Sequence, residues 1–378
     1  MRDSRISTST QIPGSQNALC RHVPHTEGAM ERIRQIRPAD KTAYALAKAR
    51  WDSIAKPLGS FGLLEEAVQR IAAVQGTESV CIDRRAVIVL CADHGVVAQG
   101  VTQCGSEVTA ECACAIAQGH SNVNAIAESC RTQVIAADLG MVTAPECDRL
   151  LNRRIGSGTR DMTRGAAMTR EQAEAAIVTG MELVRMQKEQ GMQLLLTGEM
   201  GIGNTTAASA LAAVLLGLPV REVTGRGAGL SSEGLTRKIA AIERAIAVNQ
   251  PDPADPVGLL QKLGGFEIAG MTGLFLGGAV YRIPVVIDGV ISAAAAAIAC
   301  RIAPLCRDYL LASHCSGEPA GQGLLRMIGL EPVIHAGLRL GEGTGGLLLV
   351  PLLDSTLALY RNAHRFEDTS IERYTQQQ

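Results

Sequence analysis

Four short apolar runs, Ala86 to Cys91, Gln133 to Ala137, Gln193 to Thr197 and Pro284 to Ile287, alternate along the chain with stretches of helical periodicity. Runs of this length suit strands buried in a parallel sheet, with the helical stretches as crossovers. Helices are expected over Ala39 to Ile54, Leu63 to Gln75 and Arg170 to Gln190, the last with Thr169 as N-cap. The pattern predicts an α/β fold with a doubly wound, mostly parallel sheet, whose ligands bind at the carboxyl ends of the strands. Those ends read Asp93-His94-Gly95, Asp138-Leu139-Gly140, a glycine-rich loop and Asp288-Gly289. Together they point to one shared crevice, although an Asp after a strand also serves as the cap of the next helix.

The third run enters Thr197-Gly198-Glu199-Met200-Gly201-Ile202-Gly203-Asn204-Thr205-Thr206, followed by an Ala- and Leu-rich helix. Glycines there let backbone amides approach an anion, and a helix opening at Asn204 or Thr205 adds the positive end of its dipole. A phosphate cradle is the first reading. The Lys-Ser/Thr ending of a nucleoside triphosphatase loop is missing, which argues against γ-phosphate chemistry. A dinucleotide site competes, because Gly201-Ile202-Gly203 follows a strand and Glu222 comes about 20 residues later at the end of a plausible next strand. Thr206 stands in place of the third glycine. A ligand-free turn also fits the loop alone.

Composition excludes several classes. The 378 residues can bury a sizeable core, and 36 basic against 37 acidic side chains give no basic surface for nucleic acid or anionic membrane. Aromatics at 3% leave little for base stacking. The 11 cysteines contain no C-x-x-C pair, which suits reduced thiols in the cytoplasm and no metal site; Cys112-x-Cys114 with His120 nearby lacks a second ligand pair. Residues 1–29, rich in Ser, Thr and charge, read as a disordered tail and not as a signal peptide. The apolar stretch from Ile268 to Cys300 is broken by Arg282, Pro284 and Asp288, so it reads as two buried helices flanking a strand and not as a membrane span.

A second glycine-rich turn, Leu340-Gly341-Glu342-Gly343-Thr344-Gly345-Gly346, again centres on a carboxylate. Flanking glycines leave Glu342 accessible, and a partly desolvated carboxylate is suited to general-base work, worth roughly 10²–10⁴ in rate. A solvated turn glutamate is the alternative. After the glycine-rich Thr224 to Leu230, Lys238 lies on a helix expected over Ser231 to Ala247 and offers an ammonium to a phosphate, or is merely solvated. His314-Cys315-Ser316-Gly317-Glu318-Pro319 brings His, Ser and Glu close in sequence; with no G-x-S-x-G elbow, it reads as a substrate-lining loop.

Taken together, Lys56 to Gly62, Ala92 to Val96, Gly198 to Thr206, Thr224 to Leu230, Glu267 to Leu276, Ser313 to Pro319 and Leu338 to Gly345 resemble the nicotinate-nucleotide:dimethylbenzimidazole phosphoribosyltransferases of cobamide (vitamin B12) lower-ligand assembly. The motifs run in family order from about residue 40 to 360. The resemblance implies transfer of 5-phosphoribosyl from nicotinate mononucleotide to a benzimidazole, giving an α-riboside 5′-phosphate and nicotinate. It implies a Rossmann-like domain over 51–325 and a smaller helical domain built from both chain ends, 30–50 with 326–372. Glu342 matches the catalytic glutamate that removes the proton from the attacking ring nitrogen. Gly201, Ile202, Gly203, Asn204, Thr205 and Thr206 with Lys238 would hold the 5′-phosphate, with Glu199 and Asp288 beside the ribose. Ser316, Gly317 and Arg339 would face the nicotinate, and Asp93, His94, Gln103 and Glu111 would line the acceptor pocket. No cofactor or metal is implied; the expected partners are small molecules and a second copy of the chain, or a paralogue.

The departures fall on the acceptor side. Glu111 stands where the family commonly has glutamine, and Thr102-Gln103-Cys104-Gly105 and Cys91 also differ. A carboxylate in place of a carboxamide loses two donors and adds a charge, which changes the preferred base and brings in purines and phenols as alternatives. The competing functions are a non-catalytic or partner-dependent subunit of such an enzyme and, third, a dinucleotide-binding oxidoreductase.

Overall fold

The computed structural model describes residues 26–375. Of the tail expected over 1–29, residues 1–25 lie outside the described residues; 26–29 instead open the helix Thr26–Arg34, where Ala29 packs against the core.

Six parallel strands form one sheet: β1 Arg85–Ala92, β2 Gln133–Gly140, β3 Leu151–Asn152, β4 Leu194–Met200, β5 Val285–Ile287 and β6 Leu310–Ala312. Their order is β3-β2-β1-β4-β5-β6, so the winding reverses between β1 and β4. That reversal opens a crevice beyond the carboxyl ends of these two strands, the usual ligand position in such sheets. The four expected strands are all present, with β2 and β4 running three residues further than the apolar runs. The two- and three-residue strands β3 and β6 carry too little pattern to be read from sequence.

All eight residues of β1 are buried, and their period of two divides two cores. Ala86, Ile88, Leu90 and Ala92 face the helices Arg170–Glu189, Asn204–Leu216, Phe266–Tyr281 and Val290–Ile302; Val87, Val89 and Cys91 face Leu63–Gln75, Glu107–Gln118, Asn122–Ser129 and Thr344–Asn362. The stretch from Ile268 to Cys300 resolves into two buried helices around β5, and among the described residues no helix is long and apolar enough to cross a membrane. Helix starts follow cap chemistry. Asp40 accepts from Thr42 and Ala43 to open Lys41–Ser53, and Thr169 accepts from Gln172 to open Arg170–Glu189.

Segments from the early and late parts of the described chain meet on the second face. Trp51, fully buried, lies 5.0 Å from the Tyr360 ring, and Ile54 pairs with Arg365 in an isolated antiparallel bridge. The Lys56–Gly62 motif is a tight turn whose Lys56 ammonium and Phe61 amide both reach the buried Glu65 carboxylate, at 2.6 and 2.9 Å. Glu222 corrects an expectation. It sits exposed in a four-residue helix, Val220–Val223, and not at the end of a strand, because Pro219 caps a new helix there. The dinucleotide reading loses its acidic partner.

On the first face the helices Arg170–Glu189 and Phe266–Tyr281 touch through bare backbone. A Cβ at Gly180 would lie 2.0 Å from the Gly270 carbonyl oxygen, and one at Gly273 1.9 Å from that of Ile177. Gly273→Ala must push these helices apart and is expected to cost about 1–3 kcal/mol in chemical denaturation, the range for an overpacked core. Gly28→Ala, where a Cβ meets nothing within 4 Å, should leave stability unchanged or slightly raised.

Candidate active site

The two glycine-rich turns meet over the end of β4. A Cβ on Gly198 would stand 2.6 Å from the Glu342 carbonyl oxygen, so the second turn lies directly on bare strand backbone. Gly341, Glu342 and Gly343 take φ of 85°, 61° and 89°, three successive left-handed residues of which only Glu342 carries a side chain. Such a conformation in a non-glycine residue persists only where the surroundings impose it. Here they do: the Thr344 amide donates to the Gly341 carbonyl, and the Gly346 amide to the buried Asp288 Oδ1, each closing the start of the Thr344–Asn362 helix. The half-buried Glu342 side chain is thereby aimed at another helix start, where Val123 N–H donates to it at 3.3 Å and Asn122 at 3.5 Å. Cys112 lies on the same side, its thiol pKa raised by burial and by the Glu342 charge.

Glu199, with 8% exposure, sits under this turn. Its Oε2 accepts a hydrogen bond from the Asn204 side-chain Nδ2. Burial pushes its pKa well above the carboxylate range, helped by Asp288 and Glu267 and opposed by Asn204 and the Glu342 backbone. Asp288 is raised in the same direction by burial, which His314 and the amides of Gly346, Gly343 and Gly289 oppose. His314 is lowered by its own burial and raised by Asp288. Buried carboxylates in this position favour their neutral forms.

The first turn leads into the Asn204–Leu216 helix, whose cap residue Gly203 has φ 98° and provides no side chain. The Asn204 and Thr206 amides donate to Gly201 and Gly203, and that of Ile202 to Thr109 Oγ1 at 3.1 Å. Among the described residues, the amides of Gly203 and Thr205 have no acceptor, and Thr206 Oγ1 is buried without a partner. Beside them stands Lys238, fully buried, on the helix Ser232–Asn249, with Nζ 2.8 Å from Thr205 Oγ1. Burial lowers its pKa to about 8, and Glu318 works against that. A buried ammonium, a free helix start and a hydroxyl make a place for an anion.

The remaining expected residues are distributed as follows. Ser316 Oγ accepts from the Glu318 amide, and the Gly317 amide donates to Leu338, which staples this loop to the segment carrying the exposed Arg339. Gln103 is exposed and donates to the Ala228 carbonyl at 2.7 Å, and Glu111 is exposed on its helix. Asp93 is fully buried, with Oδ2 on the Val142 amide and Oδ1 unpartnered. His94 turns inward, with Nε2 2.7 Å from Glu267 Oε1. Asp138 is spent on its own turn, accepting from Gly140 and Met141 and pairing with Arg154.

The sequence gives Thr109, Glu267, Asn122 and Val123 no individual role, and Glu318 only a place in the substrate-lining loop. Only Ser121, in capping-box contact with Asn124, signals the helix start that receives Glu342.

A parallel sheet with an anion place and a half-buried carboxylate at its switch point suits a group-transferring enzyme of the α/β class. Residues 36–371 match the family model described as phosphoribosyltransferase. A nicotinate-nucleotide–dimethylbenzimidazole phosphoribosyltransferase of Ruminiclostridium cellulolyticum is 42% identical over 91% of this chain and 98% of its own, and one of Acetivibrio thermocellus 40% over 92% and 99%. The crystal structure of the Thermus thermophilus protein of that name superposes with a TM-score of 0.82 at 38% identity, covering 89% of this chain and all of its own. The chain belongs to the nicotinate-nucleotide–dimethylbenzimidazole phosphoribosyltransferase family and is a phosphoribosyltransferase.

Because Gly198 seats the Glu342 turn, Gly198→Ala is expected to displace that carboxylate and lower turnover by about 10²-fold, the effect of an ångström-scale misplacement. Circular dichroism should report an intact fold. Unchanged turnover would show that the turn tolerates the shift.

Proposed function

We propose that this enzyme moves the 5-phosphoribosyl group from nicotinate mononucleotide to a benzimidazole-type base, releasing nicotinate and forming an α-riboside 5′-phosphate for a cobamide lower ligand. The names of its relatives supply the substrates. The observation that carries the mechanism is the left-handed Glu342 held over Gly198, with its side chain turned toward the Asn122–Ser129 helix start. Lys238, Thr205 and the open helix start hold the 5′-phosphate, while Glu199 and Asp288 lie toward the ribose. Glu342 takes the proton from the attacking ring nitrogen as the glycosidic bond to nicotinate breaks. The donor's pyridinium is already a cationic leaving group, so positioning and one base suffice. Ser316, Gly317 and Arg339 face the nicotinate.

The acceptor binds along Gln103, Glu111 and Cys112, with Asp93 and His94 beneath. An exposed Glu111 in place of the family's usual glutamine offers no donor, so the acceptor includes bases able to donate to a carboxylate. Glu342→Gln is expected to lower kcat by roughly 10²–10⁴ with the donor dissociation constant unchanged, measured by nicotinate release and calorimetry. Retained turnover would reject Glu342 as base. The same assay over benzimidazoles, purines and phenols identifies the acceptor.

The enzyme works as a homodimer. Leu348 and Leu352, each 39% exposed, stand one turn apart with the exposed Pro351 on the helix that follows Glu342, and Leu340 is 58% exposed beside it. An apolar strip contiguous with a catalytic turn suits a second copy. Sedimentation equilibrium should give twice the chain mass, and Leu348→Glu with Leu352→Glu should give monomers with impaired turnover. A wild-type monomer that turns over only when mixed with a paralogue would favour the partner-dependent reading instead. The ten cysteines among the described residues are all free, which supports placement in a reducing cytoplasm.

A further inference from the structure

The Ser313–Pro319 motif contributes one group that the transfer chemistry leaves unused. Glu318 is 9% exposed and reaches across to the Thr224–Leu230 segment, where its Oε1 accepts the Gly227 amide at 3.1 Å. The contact is tight. A Cβ on Gly225 would lie 2.1 Å from Glu318 Oε2, so the segment wraps the carboxylate with bare backbone. The far side of the same turn faces the anion place: a Cβ on Gly227 would lie 2.9 Å from Thr205 Oγ1 and 3.5 Å from Lys238 Nζ. At its own end the Glu318 amide donates to Ser316 Oγ, tying it to the loop on the nicotinate side.

We infer that Glu318 is a positioning residue of the phosphate pocket, whose single carboxylate both fixes the Gly225–Gly227 turn against Lys238 and supplies the negative charge that keeps the buried Lys238 ammonium protonated. The inference rests on the reading of Lys238 as a phosphate ligand. Its logic is electrostatic. A fully buried ammonium with one hydroxyl partner sheds its proton readily, and a nearby anion is the usual way to retain it. Among the described residues, the Glu318 carboxylate is the charge that opposes the loss of the Lys238 proton. The Asn204–Leu216 helix meets Lys238 through the Thr205 hydroxyl, and the Val220–Val223 helix holds Arg221 and Glu222 in solvent. The Gly95–Gln99 turn engages Arg244, and the Gly100 carbonyl that ends it Arg237, both at the surface; Lys262 of the Pro256–Leu263 helix donates to Gln250.

The sign follows directly. With Glu318 ionised, Lys238 carries its charge up to about pH 8 and loses it above. Donor affinity therefore falls as pH rises through that value. Glu318→Gln keeps an acceptor for the Gly227 amide but removes the charge, so the alkaline fall should move down by about one pH unit, the scale of one close opposite charge. Glu318→Asp keeps the charge but shortens the reach to Gly227, so affinity should drop at every pH with the fall left in place.

The test is calorimetric titration of nicotinate mononucleotide from pH 6 to 9.5 into wild type, Glu318→Gln, Glu318→Asp and Lys238→Met. A downward shift in Glu318→Gln alone supports the inference; a coincident alkaline limb in wild type and Glu318→Gln overturns it. Should Glu318→Gln not fold, Glu318→Asp decides: weaker donor affinity at every pH supports the inference, and affinity equal to wild type at every pH overturns it. Lys238→Met separates the two readings, because unchanged donor affinity there rejects Lys238 as the phosphate ligand, whatever the Glu318 variants do.

Discussion

Everything at this site depends on two stretches of backbone touching without a side chain between them. The Glu342 turn rests on Gly198 of β4, and the same strand continues into Glu199 and the turn that opens the Asn204–Leu216 helix. One strand end therefore fixes both the candidate base and the candidate anion place. Backbone contact is stiff, because neither partner has rotamers with which to relax, and that stiffness is what a left-handed glutamate requires.

Burial sets the charges around that contact. Glu199 and Asp288 are pushed toward neutrality, with amides and a histidine opposing the shift. Lys238 is pushed the other way, toward loss of its charge, and Glu318 opposes it. Glu342 is half buried and its carboxylate meets a helix start. The pocket thus keeps one cation inside and one accessible carboxylate at its mouth, an arrangement that suits an anionic donor and a base that must lose a proton. Association of two copies over Leu348 and Leu352 would exclude water from the open side.

The fold was legible where the local signal was strong. Val87, Val89 and their neighbours in β1 are apolar because both faces are covered, and Asp40 and Thr169 mark helix starts through bonds within three residues of themselves. β3 and β6 were not legible, since two or three residues cannot show a period. Glu222 misled for a related reason: spacing alone cannot distinguish a strand end from a four-residue helix behind a proline. In the site, Glu342 and Lys238 stood out within glycine-rich or motif surroundings. Glu318 and Thr109 did not, because their roles are contacts 91 and 93 residues away along the chain.

By itself the sequence determined the α/β class, the two glycine turns and the family, since each is written in local periodicity, in residues that only a particular backbone tolerates, or in ordered motifs. Only the tertiary structure decided that the two turns share β4, that Glu342 meets the Asn122–Ser129 helix, and that Glu318 and Lys238 lie on either side of the Gly225–Gly227 turn. Those facts depend on which distant segments become neighbours and on how much water is removed from between them, and a linear pattern carries neither.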